Sequence, residues 1–325
     1  MRQDIFDMLD QAGFGSNVHE IAAEGECRVL RLDGETGEGF MTMYRVLDGV
    51  YLMYNDFHLK ECVSEYQNAD TLLCLDHCRE GRIEHENEKG GRYYMETGDI
   101  RIDSRVHHEG RIHMPFSHYH GITIGFVLNE AERAVSAAFQ GLSVDLTALS
   151  ERFCPNGKET LIRSYEPLNR VFLQLYNTPQ NIRLDYYRIK IAEILLLLSA
   201  ADVSQFREQG QYFPAKHTDK IKDIHGLITN SLESTFTVGE LSERYGLPPA
   251  TLRKVFKGVY GVPIYQYIKS YKMKAAASML ISDKGATIAD IAQRVGYDNA
   301  SEFSAAFRAI MGATPQNYRC RQEDT

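Results

Sequence analysis

Short runs in which apolar and polar residues alternate fill the chain between about residues 26 and 128. Alternation in Cys27–Leu32 and Met41–Val46 has the two-residue period of a β-strand with one buried face. The runs are separated at Asp33-Gly34 and Asp48-Gly49 by residues that favour tight turns. Many short strands at this spacing predict a β-sandwich or a β-barrel.

After residue 128 the apolar residues recur at helical spacing. Helices are predicted over Ala131–Phe139, Pro167–Tyr176 and Ile182–Leu198. One stripe of the third helix comprises Ile182, Tyr186, Ile189, Ala192 and Leu196. The last turn of this helix is apolar on all sides, so we expect burial against two surfaces. The Ile182–Leu198 helix is therefore the predicted homodimer interface.

A polar stretch at 204–217 predicts a linker, and helical periodicity resumes after it. The predicted fold is α+β with two domains. The first domain covers 1–203, with a β-barrel at about 26–128 and helices at 129–200. The second, over 218–325, is all-α, with two helix-turn-helix units joined by a long helix.

An internal repeat dominates the last 90 residues. Thr237–Gly246 matches Thr287–Gly296 at an offset of 50 residues. Further along, an apolar residue, a phenylalanine and a glycine recur with the same spacing, as Leu252, Phe256 and Gly261 in the first copy and Phe303, Phe307 and Gly312 in the second. Two similar copies make a chance pattern improbable and predict a duplicated structural unit.

Each copy has the signals of a helix-turn-helix. Thr237 with Glu240 predicts a capping box, and Gly246 predicts the turn that ends the first helix. Leu252 and Phe256 place the buried face of a second helix, whose outer face is free to enter a DNA major groove. Between the copies, 264–281 predicts a helix about 27 Å long, which would hold two recognition helices about one DNA turn apart.

At these residues the chain resembles the AraC/XylS transcription regulators. The resemblance is carried by Ile291-Ala292, Val295-Gly296-Tyr297, Ser301, Phe303, Phe307-Arg308, Gly312 and Thr314-Pro315, followed by Tyr318-Arg319. One position departs, because Ala305 stands where the family usually has arginine. The first domain resembles the cupin-like sensor domains of that family more loosely, through the Gly98-Asp99 turn.

The resemblance implies the residues that face DNA. The matching positions are Ala250, Thr251, Arg253, Lys254 and Lys257 in the first unit, and Asn299, Ser301, Glu302, Ser304, Ala305 and Arg308 in the second. The alternative for any of these residues is a solvated helix face. The resemblance also implies activation of transcription through contact with RNA polymerase, as in most members of the family.

Charge is divided unevenly along the chain. The net charge is −8, which by itself argues against a nucleic-acid binder. From Thr218 to the end, however, 14 basic residues face 11 acidic ones, whereas the rest of the chain is strongly acidic. The second domain is thus the part that can approach a polyanion.

Histidines are concentrated in the first domain. His118 and His120 form an H-x-H pair as in cupin metal sites, but the glutamate that such sites carry a few residues later is missing. We therefore predict no metal and no cofactor. Tyr44, His58, His118 and His120 are instead predicted to line a ligand cavity in the barrel.

These observations predict a cytoplasmic bacterial transcription regulator that binds promoter DNA, an activator responding to a small-molecule effector of unknown identity in the barrel. Two alternatives stay open for the first domain: a metal-dependent cupin enzyme, or a ligand-independent dimerisation domain. Common enzyme motifs are missing, so we predict a non-enzyme. The longest apolar run, Ile194–Ala201, is too short for a membrane helix.

Overall fold

A computed structural model describes residues 15–86, 90–206 and 211–321. These residues divide into two compact units. The first contains residues 15–86, 93–206 and 211, and the second contains residues 90–92 and 212–321.

Antiparallel strands build the first unit. They are β1 (Val18–Glu24), β2 (Cys27–Gly34), β3 (Gly37–Leu47), β4 (Val50–His58), β5 (Glu61–Glu86), β6 (Gly91–Glu96), β7 (Ile100–His113), β8 (Tyr119–Val127) and β9 (Thr160–Ile162). The sheet order is β1-β2-β3-β4-β8-β5-β6, with β7 paired to β5 and β9. The sheet is a cupin-like half-barrel, which confirms the predicted fold class of this domain.

The half-barrel has two faces because successive side chains of a strand point to opposite sides. The inner face carries residues such as Leu32, Met41 and Phe57. The outer face carries Leu52 and Ile124, which join the core formed with the helices.

Four helices follow the half-barrel: α1 (Leu128–Ala138), α2 (Leu146–Phe153), α3 (Glu166–Leu175) and α4 (Arg183–Ala200). On α4 the buried side chains are Tyr187, Ile191, Ile194, Leu195 and Leu198. The stripe predicted from sequence lies on another side of this helix, where Ile189 is 59% and Leu196 49% exposed. Both sides of α4 are therefore apolar, as predicted, and the homodimer interface stays a prediction.

Helices make up most of the second unit. They are α5 (Ala215–Asn230), α6 (Val238–Tyr245), α7 (Pro249–Tyr260), α8 (Ile264–Ser282), α9 (Ile288–Arg294), α10 (Ala300–Met311) and α11 (Pro315–Arg321). A short strand, β10 (Phe213–Pro214), precedes α5. The all-α domain with two helix-turn-helix units and a long intervening helix is thereby confirmed.

The segment predicted as a linker holds two buried aromatic residues. Phe206 joins the core of the first unit, and Phe213 packs against Gly258 in the second. Each unit thus fixes one end of this segment by burying an aromatic ring, while the predicted boundaries 204–217 stay a prediction.

Within the described residues, no helix combines the length and apolar character that crossing a bilayer requires.

Candidate nucleic-acid interface and ligand cavity

The first helix-turn-helix unit consists of α6 and α7, and a threonine fixes where it begins. The backbone N–H of Glu240 donates to Thr237 Oγ1 at 3.2 Å, and the backbone N–H of Thr237 donates to the Glu240 carboxylate at 2.9 Å. This is the predicted capping box. Its hydrogen bonds lower the pKa of Glu240. Gly246, at φ 58°, ends α6 in the left-handed conformation.

The second unit, α9 and α10, repeats this arrangement. Thr287 and Asp290 form a capping box with distances of 3.1 and 2.9 Å. Gly296, at φ 72°, follows the end of α9. A Cβ atom there would collide with the backbone carbonyl oxygen of Glu233. Only glycine meets both the positive φ and the close backbone approach.

The same apolar positions hold both units together. Six apolar residues of the repeat are at most 1% exposed: Leu241, Leu252, Phe256, Ile291, Phe303 and Phe307. Leu252 and Phe256 occupy the inner face of α7, and Phe303 and Phe307 that of α10, so the opposite faces of these two helices are left for a partner.

On α7, that outer face is basic. Ala250, Arg253, Lys254 and Lys257 are exposed, and Thr251 is half-buried. No ion pair engages Arg253, Lys254 or Lys257 within the part of the chain that the structure describes. Three cations within about one helical turn can therefore meet phosphates or guanine edges without first breaking a salt bridge.

The outer face of α10 is nearly neutral. Ser301, Glu302, Ala305 and Arg308 are exposed. Asn299 is the N-cap, and its Oδ1 accepts from the backbone N–H of Ser301 at 2.8 Å. Ser304 donates its hydroxyl to the carbonyl oxygen of Ala300 at 2.8 Å. Asn299 and Ser304, both predicted to read bases, thus also form hydrogen bonds to the backbone of α10.

The four residues predicted to line the barrel lie elsewhere. The side chains that line the cavity include those of Met41 on β3, Met53 on β4 and Tyr119 on β8. Residues an odd number of positions away on the same strand, or directly before it, point to the other face. This is the case for Tyr44, His58, His118 and His120, none of which is among the lining residues. Strand alternation therefore corrects the predicted lining, because a shift of one residue moves a side chain to the other face.

Tyr44 and His120 instead contact helices on the outer face. The Tyr44 hydroxyl accepts a hydrogen bond from Arg183 at 2.7 Å, and burial raises the pKa of Tyr44 to about 12. The ring of His120 lies 5.4 Å from that of Tyr176, and burial lowers the pKa of this histidine. Both residues help to attach helical segments to the sheet.

The half-barrel encloses a cavity of about 170 Å³ on its inner face. Most of its lining is apolar, from Leu32, Met41, Met43, Met53, Phe57, Leu72 and Ile112, among others. This is close to the engineered cavity of about 150 Å³ that holds one benzene molecule. The cavity is thus large enough for a small organic molecule.

A polar wall on one side of the cavity was missed by the sequence analysis. Thr123 Oγ1 donates to Asp76 Oδ1 at 2.7 Å, and Arg101 Nη1 lies 3.2 Å from Asp76 Oδ2. Asn55 Nδ2 donates to Thr123 Oγ1 at 3.0 Å. Among the described residues, Asn55 Oδ1 is a buried acceptor without a hydrogen-bond partner. The wall can orient a ligand through that oxygen.

Comparisons with known proteins show what the second unit is similar to. Residues 241–321 match a family described as a helix-turn-helix domain. The match spans both of the units whose capping boxes and outer faces are described above. The second unit is similar to AraC-type DNA-binding domains. The resemblance seen in the sequence is thereby confirmed for this part of the chain.

Relatives of the AraC-type domain are named as regulators. The Msm operon regulatory protein of Streptococcus mutans is 24% identical over 237 residues, which cover 69% of this chain and 76% of that protein. The HTH-type transcriptional activator RhaR of Yersinia pestis is 28% identical over 140 residues, covering 42% of this chain and 47% of RhaR. The chain thus spans about half the length of RhaR. These names agree with the prediction of a non-enzyme.

Among solved structures, the C-terminal domain of AraT, a response regulator from Geobacillus stearothermophilus, is 28% identical to this chain. The match covers 31% of this chain and 84% of that domain, with a TM-score of 0.30.

Proposed function

We propose that the chain is a cytoplasmic transcription regulator that binds promoter DNA through its two helix-turn-helix units. The observation that carries this proposal is the outer face of α7, where Arg253, Lys254 and Lys257 have no ion-pair partner among the described residues. The helix α8, with 19 residues, is about 28 Å long and separates the two units by a distance compatible with successive major grooves.

Direct measurement of DNA binding tests this proposal. Fluorescence anisotropy would compare the full chain with two fragments, residues 1–211 and 212–325, on one labelled duplex. We expect the full chain and 212–325 to bind, with an affinity that falls steeply as salt is added, because counterions are released from the duplex. Binding retained by 1–211 and lost by 212–325 would contradict the assignment.

We further propose that the cavity holds a small-molecule effector. Its volume and its buried free acceptor, Asn55 Oδ1, favour this interpretation over a domain that only dimerises. Arg101 is surrounded by the carboxylates of Asp76, Asp103 and Glu159, at 3.2, 3.3 and 2.8 Å. Since three carboxylates outnumber one guanidinium, the expected effector is neutral or cationic and carries a hydrogen-bond donor.

Filling the cavity tests the effector proposal. A Cβ at Gly125 meets only Leu72 side-chain atoms, at 3.6 Å or more, and the residue lines the cavity. Gly125→Leu should therefore abolish stabilisation by small molecules found in a thermal-shift screen. Gly226→Leu, a position with open space around it, is the matched control. Equal stabilisation of both variants would place the ligand outside the barrel.

We also propose homodimerisation through α4 and, as the name of the activator RhaR supports, activation through contact with RNA polymerase. The exposed Ile182, at the N-cap of α4, and the exposed Ile189 and Leu196 on α4 recur every seven residues. This spacing suits a seam between two helices, so a second copy of the chain is the partner that it favours.

A further inference from the structure

The side chains of one aspartate and three histidines lie at the corners of a square on the outer face of the half-barrel. Asp56 and His58 are two residues apart on β4, so they point to the same side. Asp56 pairs with His120 of β8, and Phe57 pairs with Tyr119. His118 precedes β8 by one residue, so its side chain lies beside that of His58. We call these four residues the His/Asp square.

Three of these four side chains lie close enough together to contact one ion. Oδ1 of Asp56 lies 3.1 Å from Nε2 of His58. The ring centroids of His58 and His118 are 5.0 Å apart. One ligand atom from each of Asp56, His58 and His118 lies within 4.8 Å of the other two. Among the described residues this is the one place where three such groups converge.

The surroundings of the square add further donors. Glu80 on β5 pairs with His120, and its carboxylate lies 3.8 Å from Nε2 of His118. Two carboxylates and three histidines from three neighbouring structural segments thus face one small patch.

We propose that Asp56, His58 and His118 bind one divalent transition-metal ion. Nitrogen and oxygen ligands around zinc lie about 2.0–2.2 Å from the ion, so two of them are about 3.3 Å apart in a tetrahedral site. The side chains of His58 and Asp56 are 58% and 51% exposed, so small rotations suffice to bring the three atoms to that spacing. Water supplies the fourth ligand.

The donor set also selects the class of ion. Imidazole ligands favour Zn²⁺, Cu²⁺ and Ni²⁺, whereas Mg²⁺ and Ca²⁺ prefer oxygen ligands throughout. The site differs from the H-x-H arrangement considered in the sequence, because its carboxylate comes from β4. Only the register between β4 and β8 brings that group to His118. The proposal is independent of DNA binding and of the effector cavity.

Isothermal titration of the full, tag-free chain with Zn²⁺ tests the proposal. We expect saturable binding of one ion at pH 7.5 and weaker binding at pH 5.5, because protons compete with a metal ion for imidazole nitrogens. His58→Ala and His118→Ala should each weaken the affinity by more than about tenfold. Zn²⁺ should also raise the melting temperature of the wild type but not of His118→Ala.

The matched control is His19→Ala, which removes another exposed histidine that lies beside a carboxylate, that of Asp33. It should bind Zn²⁺ as the wild type does, and Mg²⁺ should not compete. A wild type without saturable binding would overturn the proposal. So would His58→Ala and His118→Ala variants that bind as tightly as the wild type, since the ion would then be held elsewhere.

Discussion

Single residues set where the helices of the DNA-binding domain begin and end. Thr237 and Thr287 each accept a hydrogen bond from the third helical residue and begin α6 and α9. Gly246 and Gly296 both adopt positive φ where these helices end, but their surroundings differ. Near Gly246 a Cβ would meet only the Lys220 side-chain nitrogen, at 3.8 Å, whereas near Gly296 it would strike backbone.

These two glycines should respond differently to the same change. Gly246→Ala costs only the left-handed backbone strain, about 1 kcal/mol. Gly296→Ala adds a collision with the carbonyl of Glu233, so we expect a loss of about 3 kcal/mol. Urea denaturation of residues 212–325, followed by circular dichroism, measures both. Equal losses would show that the close approach at Gly296 is relieved by a small backbone shift.

Lys254 and Glu302 should affect DNA binding in different ways. Lys254→Ala should weaken binding to many sequences and reduce the salt slope by about one unit, because one phosphate contact is lost. Glu302→Ala should change the sequence preference with little loss of affinity, because a carboxylate can accept from a cytosine amine. Anisotropy titrations on a panel of duplexes at several salt concentrations separate the two effects.

Reversed effects would contradict these roles. If Glu302→Ala abolishes binding to all duplexes while Lys254→Ala changes nothing, phosphate attraction does not come mainly from α7. Ala305, which stands where the family usually has arginine, would then not mark α10 as the helix with fewer phosphate contacts.

Burial of His77 should make the stability of the first unit depend on pH. Its ring stacks on Phe172 at 4.5 Å, and burial lowers its pKa to about 4. Between about pH 6.5 and 4 the unfolded chain therefore binds the proton that the folded chain excludes, so stability falls as pH falls. The loss from this group reaches about 3 kcal/mol.

His77→Gln removes that contribution. As the pH is lowered from 7 to 4, the free energy of unfolding of the wild type should fall by about 3 kcal/mol relative to the variant. Urea denaturation at a series of pH values measures this difference. Parallel pH profiles for the two proteins would show that folded His77 accepts the proton.

The sequence supports some of these residue roles but not others. Capping boxes and buried phenylalanines depend on neighbours within a few positions, so Thr237 and Phe256 are predictable. The cavity wall is not, because Asn55, Asp76 and Thr123 come together only through the pairing of β4, β8 and β5. The number of histidines led to the prediction that His118 and His120 line the cavity, but the alternation of side chains along β8 places them on the outer face.

The helix α4 connects the first unit to its proposed dimer partner. One side is buried in the core, including Leu195, which is not exposed at all. The other side exposes Ile189 and Leu196 to solvent. A substitution at Leu195 would thus damage the fold, whereas one at Leu196 changes only the exposed side.

Leu196→Glu should therefore weaken dimerisation without unfolding the protein. The carboxylate would be buried without a partner in the helix seam, which is costly. Analytical ultracentrifugation should show a shift toward monomer, with an unchanged circular dichroism spectrum. Leu173→Glu, at a leucine that is 52% exposed on α3, is the control and should leave the dimer intact. A wild type that is monomeric at micromolar concentration would contradict the proposal.

Elements with a clear period could be predicted, and those without one could not. The alternation predicted over Cys27–Leu32 and Met41–Val46 falls on β2 and β3, and the helical period after residue 182 falls on α4, although the predicted stripe lies on its exposed side. β1 was missed because it is an edge strand and six of its seven residues are exposed, so no apolar face marks it. α2 was missed because eight residues give too short a pattern, although Asp145 caps it at 2.7 Å.

The whole molecule divides its chemistry between two units. The second unit carries the excess of basic residues, while the first is acidic and contains the cavity and the His/Asp square. An acidic first unit is repelled by DNA, so in the proposed function the specific contact is left to the second unit. The sequence repeat predicts this division well, because the capping threonine and the glycine of the first helix-turn-helix unit recur in the second at an offset of 50 residues.

Selection of duplexes from random DNA by the full chain tests the central claim most directly. If both units bind one face of DNA, the enriched sequences should contain two blocks about 10 base pairs apart. The double variant Arg253→Ala, Lys254→Ala should lose the enrichment of the block read by α7. A single block, or no enrichment beyond that obtained with the double variant, would contradict the account.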